Sequence, residues 1–439
     1  MRRFVFGAAL IGAFLLVTST ARSDVGISLT PTPAEQVGVS TKKLERIREV
    51  LKNEIDQGNL PGTVVMVARK GKLIYADALG LQDKAEGKAM SVDSIFRIYS
   101  MTKPLVSVAA MMLVEDGKIQ LTDPVSKFLP AFKTQRVSVA RADAQFARIT
   151  YTTVPADREM TVQDLLRHTS GLAYGEITQN TPVKDAYAKA GVYLPGVRDY
   201  DSRDMTSAEQ AERVGAAPLA HHPGTVWEYS LSSDILGRVV EAASGKRLGE
   251  FLDERLFKPL GMVDTAFSLP ADKMVRLAQP LAVDLPSGQP IKVIDVAVAP
   301  KNDSGGAGAV STAADYLRFT QMLLNGGQLN GVRVLSRTTV ELMTSDHLGR
   351  IAAPRTPGEL LLGTPGYTFG LGFAVRQGAG VAGVPGSAGE FMWAGYAGTY
   401  FWVDPKEQVT AVFMSQAPSP IRAYYRKLVK QLVYQAIVD

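Results

Sequence analysis

Apolar residues recur every three or four positions in some stretches of the chain and cluster without that period in others. Leu44, Ile47, Leu51 and Ile55 form a helical stripe with charges between them, and Ser40 stands where an N-terminal cap belongs. Pro61-Gly62 ends that pattern. Thr63 to Ala68 is β-rich, Lys70-Gly71 is turn chemistry and Lys72 to Ala76 resumes, which predicts a hairpin. A second helical stripe runs through Val106, Ala109, Ala110, Leu113 and Val114 to Gly117.

Residues 131 to 160 are polar with weak periodicity and predict no regular element. Thr161 and Asp164 form a capping pair for a short helix to Arg167, and Thr206 and Glu209 form another. Tyr174 to Asp204 reads as loop, broken by Pro182 and Pro195. Helices follow from Ser232 to Gly245 and from Leu248 to Phe257. Residues 265 to 300 are extended and irregular, and Gly305 to Gly308 reads as a tight, flexible turn. Thr312 caps a further helix. Tyr367 to Val375, Phe391 to Val403 and Val409 to Ser415 read as three strands, and an amphipathic helix through Tyr425, Leu428, Leu432 and Val433 closes the chain. The fold class is α+β: an antiparallel sheet built from both ends of the chain and flanked by N- and C-terminal helices, with an inserted, mostly helical lobe. The implied division is 24–95 and 301–439 for the two parts of the α/β lobe, and 96–300 for the helical lobe.

Met1-Arg2-Arg3, the apolar run Phe4 to Val17 and the small residues up to Ser23 read as a signal peptide over residues 1–23. Export to the periplasm or medium is the expectation. The run is too short for a good membrane span, and no other stretch approaches spanning length. The 439 residues contain no cysteine, so disulfides, thiolate nucleophiles and Cys-ligated metals are excluded. The formal charge of +5 falls to +3 without Arg2 and Arg3, and the remaining basic residues are dispersed, which disfavours nucleic acid as a partner. The four histidines lack the i, i+4 spacing of a zinc helix, so no metal and no cofactor is expected. Gly378 to Gly383 matches G-x-G-x-x-G, but Pro385, Gly386 and Gly389 follow instead of a helix, and a mobile hairpin loop fits better.

The chemistry-bearing stretch is Ser100-Met101-Thr102-Lys103. On a helix, positions three apart share a face, so the hydroxyl and the amine would lie side by side at a helix N-terminus. Serine is a poor nucleophile until a neighbour takes its proton, and a partly desolvated lysine can do so. Tyr229, in Tyr229-Ser230-Leu231 just before a helix, is a second candidate base if a cation such as Lys103 lies near it. The small residues Ala394, Gly395, Ala397 and Gly398 within an aromatic strand leave backbone bare for a ligand.

Ser100-Met101-Thr102-Lys103, Tyr229-Ser230-Leu231 and Trp393-Ala394-Gly395, in that order, resemble the motifs of the serine β-lactamase and penicillin-binding-protein superfamily. The branch they most resemble is that of class C β-lactamases and the related serine esterases called family VIII. The stretches 165–172, 223–230 and 398–405 share the likeness, which covers residue 40 to the end. The resemblance implies a Ser100 acyl-enzyme, proton traffic shared by Lys103 and Tyr229, and an oxyanion held between the backbone N–H groups of Ser100 and Tyr396. Many relatives of this kind carry Asn where Leu231 stands and Lys where Trp393 stands, groups that hold a β-lactam's amide and carboxylate. Their absence favours a carboxylesterase acting on small or short-chain esters, with Trp393, Tyr396 and Leu231 as an apolar wall. The alternatives are a β-lactamase, a D-Ala-D-Ala peptidase or amide hydrolase, an acyltransferase, and a non-catalytic penicillin- or peptidoglycan-binding protein.

Overall fold

Residues 29–143, 148–197 and 202–439 are described by the computed structural model, and the signal-peptide expectation for residues 1–23 lies outside them. Helix α1 (Thr41–Asp56) begins at the predicted cap, where Ser40 Oγ accepts the Lys43 N–H at 3.3 Å. Its buried Leu44, Ile47 and Leu51 face an eight-stranded sheet. The N-terminal strands are β1 (Gly62–Arg69), β2 (Lys72–Asp83) and β3 (Lys88–Ala89). The C-terminal strands are β4 (Tyr367–Phe369), β5 (Ala374–Arg376), β6 (Phe391–Ala394), β7 (Tyr400–Asp404) and β8 (Val409–Ser415). The order is β4-β5-β6-β7-β8-β1-β2-β3, antiparallel throughout. The two ends of the chain meet at its centre, where Thr63 pairs with Ser415 and Arg69 with Val409.

Two of the three predicted C-terminal strands are hairpins. Each contains glycines that break the ladder: Gly372 (φ +97°) between β4 and β5, and Gly398 (φ +105°) between β6 and β7. Every residue of β7 is buried, as a strand covered on both faces requires. Trp402 stacks on Tyr434 of the last helix, α5 (Arg422–Tyr434), while Phe401 meets Tyr316 of helix α4 (Ala313–Leu324) on the other face.

The inserted lobe centres on helix α2 (Thr102–Glu115), in which every residue from Thr102 to Leu113 is buried. It packs against helix α3 (Ser232–Ser244). Residues 131–160, expected to be irregular, contain an antiparallel hairpin of Arg136–Asp143 with Arg148–Pro155. Every residue of the second strand is exposed or half-buried, so it carries no buried apolar alternation to read. The Tyr174–Asp204 segment contains a helix, Thr181–Lys189. Pro182 sits in its first turn, where a missing N–H costs nothing, so the proline marks a start and not a break. The predicted flexible turn Gly305–Gly308 is packed inside the protein, with only Ala307 partly exposed.

Among the described residues, no helix is long and apolar enough to cross a membrane.

Candidate active site

Ser100 lies in a 3₁₀ turn, Tyr99–Met101, that runs directly into α2. Tyr99 has φ +43°, a left-handed conformation that costs a non-glycine residue about 1–2 kcal/mol. Its surroundings hold it there: the Tyr99 hydroxyl accepts the Ile294 N–H at 3.1 Å and its ring meets Tyr396 edge-on at 5.5 Å. Below the turn, Tyr316 Oη donates to Met101 O at 2.8 Å and Thr102 Oγ1 accepts the Ala309 N–H at 3.1 Å. Ser100 is thus presented by a strained turn clamped on both sides.

Lys103, one turn on, is 1% exposed. Its ammonium donates to Ser100 Oγ at 3.3 Å, Tyr174 Oη at 3.0 Å and Gly306 O at 2.7 Å. Three acceptors match three ammonium protons. The Gly306 carbonyl is itself fixed, because Asp234 Oδ1 accepts from Ser304 Oγ at 2.7 Å and from Gly306 N at 3.1 Å. A Cβ on Gly306 would lie 2.2 Å from Asp234 Oδ2, so only glycine lets this turn close on α3.

Tyr229 Oη donates to Ser100 Oγ at 2.6 Å, and Lys103 Nζ lies 4.7 Å from the Tyr229 ring centre. The Tyr229 ring is walled by His168 at 5.1 Å, Tyr174 at 5.2 Å and Trp393 at 5.5 Å. His168 bonds Ser230 Oγ through Nδ1 at 3.2 Å, and burial, then the Lys103 charge, holds its pKa well below the ordinary imidazole range. Burial, then Tyr229 and Asp234, pushes the Tyr174 phenol well above its usual value, so it stays a neutral hydroxyl beside the ammonium.

The β6–β7 turn closes the other side. Gly395 N donates to Thr399 O at 2.9 Å, Arg426 Nη2 donates to Gly395 O at 2.6 Å, and Thr399 Oγ1 donates to Ile98 O at 3.3 Å. The turn is therefore stapled to the backbone just before Ser100. Above these groups is a cavity of about 420 Å³, lined by Ser100, Tyr229, Gly395 and Tyr396, with Tyr99, Tyr174 and Ile294 among its walls.

The structure thus brings together Ser100, Lys103, Tyr229, Gly395 and Tyr396, and sets two expected residues apart. Trp393 is fully buried between Tyr229 and Phe369 and is not among the residues lining this cavity. Leu231 lines a smaller neighbouring cavity of about 40 Å³ together with Tyr187 and Asp234. The expected apolar wall of Trp393 and Leu231 is therefore corrected. Trp393 carries no charge for a substrate carboxylate, but Arg355, Arg422 and Arg426 line the cavity. The sequence reading also missed Tyr174 and the Asp234–Gly306 support of Lys103. For Tyr174 the only local signal was an aromatic residue closing the stretch that begins at His168. Among the described residues, no three His, Asp or Glu side chains converge on a point where a metal could bind.

A family model described as Beta-lactamase matches residues 47–434. Protein Rv1367c of Mycobacterium tuberculosis is 35% identical over 379 residues, 84% of this chain and 88% of that protein. Esterase EstB of Burkholderia gladioli is 32% identical over 380 residues, 82% of this chain and 86% of that protein. Among solved structures, EstCE1, described as a hydrolase with promiscuous acyltransferase activity, superposes with a TM-score of 0.70 at 28% identity, covering 90% of this chain and 99% of that one.

Proposed function

The chain belongs to the beta-lactamase family, and we propose that within it this protein is a carboxylesterase that cleaves small esters through a Ser100 acyl-enzyme. The observation that carries the reading is the contact of Ser100 Oγ with both Tyr229 Oη, at 2.6 Å, and Lys103 Nζ, at 3.3 Å, on the wall of an open cavity. Similarity to EstB and EstCE1 supports the ester preference.

In the proposed reaction, Tyr229 enters as the phenolate, the form in which Ser100 donates the 2.6 Å bond between them, and it takes the serine proton as Oγ attacks the ester carbonyl. The Lys103 ammonium, 3.3 Å from Ser100 Oγ and 4.7 Å from the Tyr229 ring centre, stabilises the phenolate before the transfer, and the negative charge then passes to the carbonyl oxygen. The backbone N–H groups of Ser100 and Tyr396 receive the oxyanion. The same pair protonates the departing alcohol and then takes a proton from the water that frees the acyl group. Tyr174, Gly306 and Asp234 hold Lys103 in register and are positioning groups. No step requires a metal or cofactor.

The second reading is β-lactam hydrolysis. It is favoured by the arginines of the cavity wall, which offer a β-lactam carboxylate a counter-ion. The test is kcat/KM for nitrophenyl butyrate against nitrocefin, with wild type and Ser100→Ala. The ester should be cleaved faster, and Ser100→Ala should abolish both turnover and labelling by a fluorophosphonate. Faster turnover of nitrocefin would replace the esterase reading with the second one. Label on another serine would remove Ser100 from the mechanism.

A further inference from the structure

His168 has a left-handed backbone, φ +55°, which side-chain-bearing residues rarely adopt. It is buried and is not among the residues lining the cavity. Its contacts bracket Tyr229. The His168 carbonyl accepts the Glu228 N–H at 3.0 Å, Nδ1 meets Ser230 Oγ at 3.2 Å, and the imidazole lies 5.1 Å from the Tyr229 ring. The residues on either side of Tyr229 are thus tied to one histidine. Phe369 at 5.5 Å and Trp227 at 6.4 Å stand edge-on to the same imidazole. Strained residues persist where their surroundings over-determine them, and they cluster at functional sites.

The imidazole also ends a buried chain of hydroxyls. Ser230 Oγ meets Ser232 Oγ at 2.8 Å, and Ser232 Oγ meets Ser170 Oγ at 2.8 Å. All three serines are fully buried. The other partners of this chain are backbone donors: Leu172 N–H to Ser170 Oγ at 3.2 Å and Ser232 N–H to Ser230 Oγ at 3.4 Å. Among the described residues, three hydroxyl protons therefore share three links, His168–Ser230, Ser230–Ser232 and Ser232–Ser170. A proton on Nδ1 would take one link as donor and leave one buried hydroxyl proton with no acceptor, which is costly. With Nδ1 bare, every proton has a place. Ser170 donates to Ser232, Ser232 to Ser230, and Ser230 to Nδ1, so the imidazole proton is on Nε2. Burial, and then the Lys103 charge, oppose a second proton on the ring.

We propose that His168 is a positioning residue for the Tyr229 base, acting as the neutral Nε2–H tautomer that receives the Ser170–Ser232–Ser230 hydroxyl chain. This deepens the esterase reading and rests on it for the role of Tyr229. The chain joins the segment that begins at His168 to the first residue of α3, and so fixes the backbone from which Tyr229 projects. The ring itself is walled by His168, Tyr174 and Trp393. What this holds in place is the 2.6 Å contact of Tyr229 Oη with Ser100 Oγ, a reacting geometry that tolerates little displacement.

The experiment has two arms, both on the full protein. Nitrogen NMR of enzyme carrying isotope-labelled histidine, with the His168 signals identified by their loss in His168→Asn, should show Nε2 protonated and Nδ1 bare at neutral pH. A proton on Nδ1 would overturn the assignment. The second arm is nitrophenyl butyrate hydrolysis. Ser230→Ala and His168→Leu each remove the bond, and each should lower kcat by about ten- to a hundredfold, between the loss of one neutral hydrogen bond and a misplaced base. KM should stay within about twofold, and the double variant should be little worse than either single one. His168→Asn keeps an acceptor near the place of Nδ1 and tolerates the left-handed backbone, so it should recover most of the loss. Near-normal kcat in Ser230→Ala, or His168→Asn no better than His168→Leu, would overturn the positioning role. Ser230→Ala decides alone if His168→Leu does not fold. If wild type cleaves no ester, the esterase reading falls alone when Ser230→Ala still slows fluorophosphonate labelling of Ser100 about tenfold. Unchanged labelling removes the positioning role as well.

Discussion

Gly395→Ala should cost about a hundredfold in kcat/KM with the fold retained. A Cβ at this position would lie 2.3 Å from Ile98 O and 2.2 Å from Thr399 Oγ1. Normal carbon–oxygen contact needs roughly 1 Å more. Thr399 can rotate away, but only by giving up its 3.3 Å bond to Ile98 O. Ile98 O cannot rotate. It is backbone, it accepts the Met101 N–H at 3.0 Å, and it stands two residues before Ser100. On the far side, Arg426 fixes Gly395 O at 2.6 Å. The displacement therefore passes either into the Ser100 turn or into Tyr396, the two donors proposed for the oxyanion. A misplacement of about 1 Å in a reacting geometry costs on the order of a hundredfold, and overpacking typically destabilises by about 1–3 kcal/mol. The assay is steady-state hydrolysis of nitrophenyl butyrate together with urea unfolding. The loss should fall mainly on kcat, since the bulk of the cavity is untouched. A Gly395→Ala enzyme within twofold of wild type in kcat/KM would refute the view that the β6–β7 turn and the Ser100 turn form one rigid unit.

Lys103→Ala and Tyr229→Phe should each lower kcat by about a hundredfold or more, and the double variant should be little worse than either single one. Multiplicative effects would show that the two groups act separately. Tyr174→Phe removes one of three acceptors of the Lys103 ammonium and should lower kcat by about ten- to a hundredfold, the scale of a hydrogen bond to a charged group; a near-normal rate would return Tyr174 to a packing role. Asp315→Asn should stabilise the fold at pH 8 but not at pH 4. Burial raises this carboxyl from 3.8 to about 6, so the folded protein keeps its proton at pH values where the unfolded chain has lost it. The shift of about two units is an order-of-magnitude penalty of about 3 kcal/mol for wild type above pH 6, which disappears as the pH falls towards 4. Both bonds to this carboxylate, from Asp264 N and Thr265 Oγ1, fall on one oxygen that an amide oxygen can replace. A stability difference that does not change with pH would show that the carboxyl is not raised.

The sequence was most legible where local chemistry and tertiary packing agree. Ser40, Thr161, Thr206 and Thr312 announced their helices because caps act within one turn. Ser100 and Lys103 could be paired because a helix fixes their spacing. Tyr229 joined them through motif likeness, since it lies 129 residues from Ser100 and no periodicity connects the two. The support of Lys103 by Gly306 was invisible for another reason. A backbone carbonyl has no residue type, and Gly305–Gly308 looks the same in sequence whether it is loose or, as here, fastened by a carboxylate from α3. Trp393 misled because an aromatic residue beside small ones suggests a ligand wall, whereas the strand's alternation turns this one inward. The cavity arginines were not legible because two of them belong to an amphipathic helix whose periodic signal is its apolar face.

The pairing of β1 with β8 also bears on how the molecule is made. Thr63 and Ser415 are adjacent in the finished sheet but about 350 residues apart along the chain. Closing a loop of that length costs roughly 5 kcal/mol in chain entropy before any contact repays it. Synthesis runs from the N-terminus, so β1, β2 and α1 leave the ribosome early with an unpaired edge, and the partner that covers it comes nearly last. The nascent protein therefore spends most of its synthesis as half a sheet. A circular permutant that links the segments bridged by Val39 and Ile437 and opens the chain at the exposed Lys84–Gly87 turn would make those partners close in sequence. The same native contacts would then form with a far smaller search.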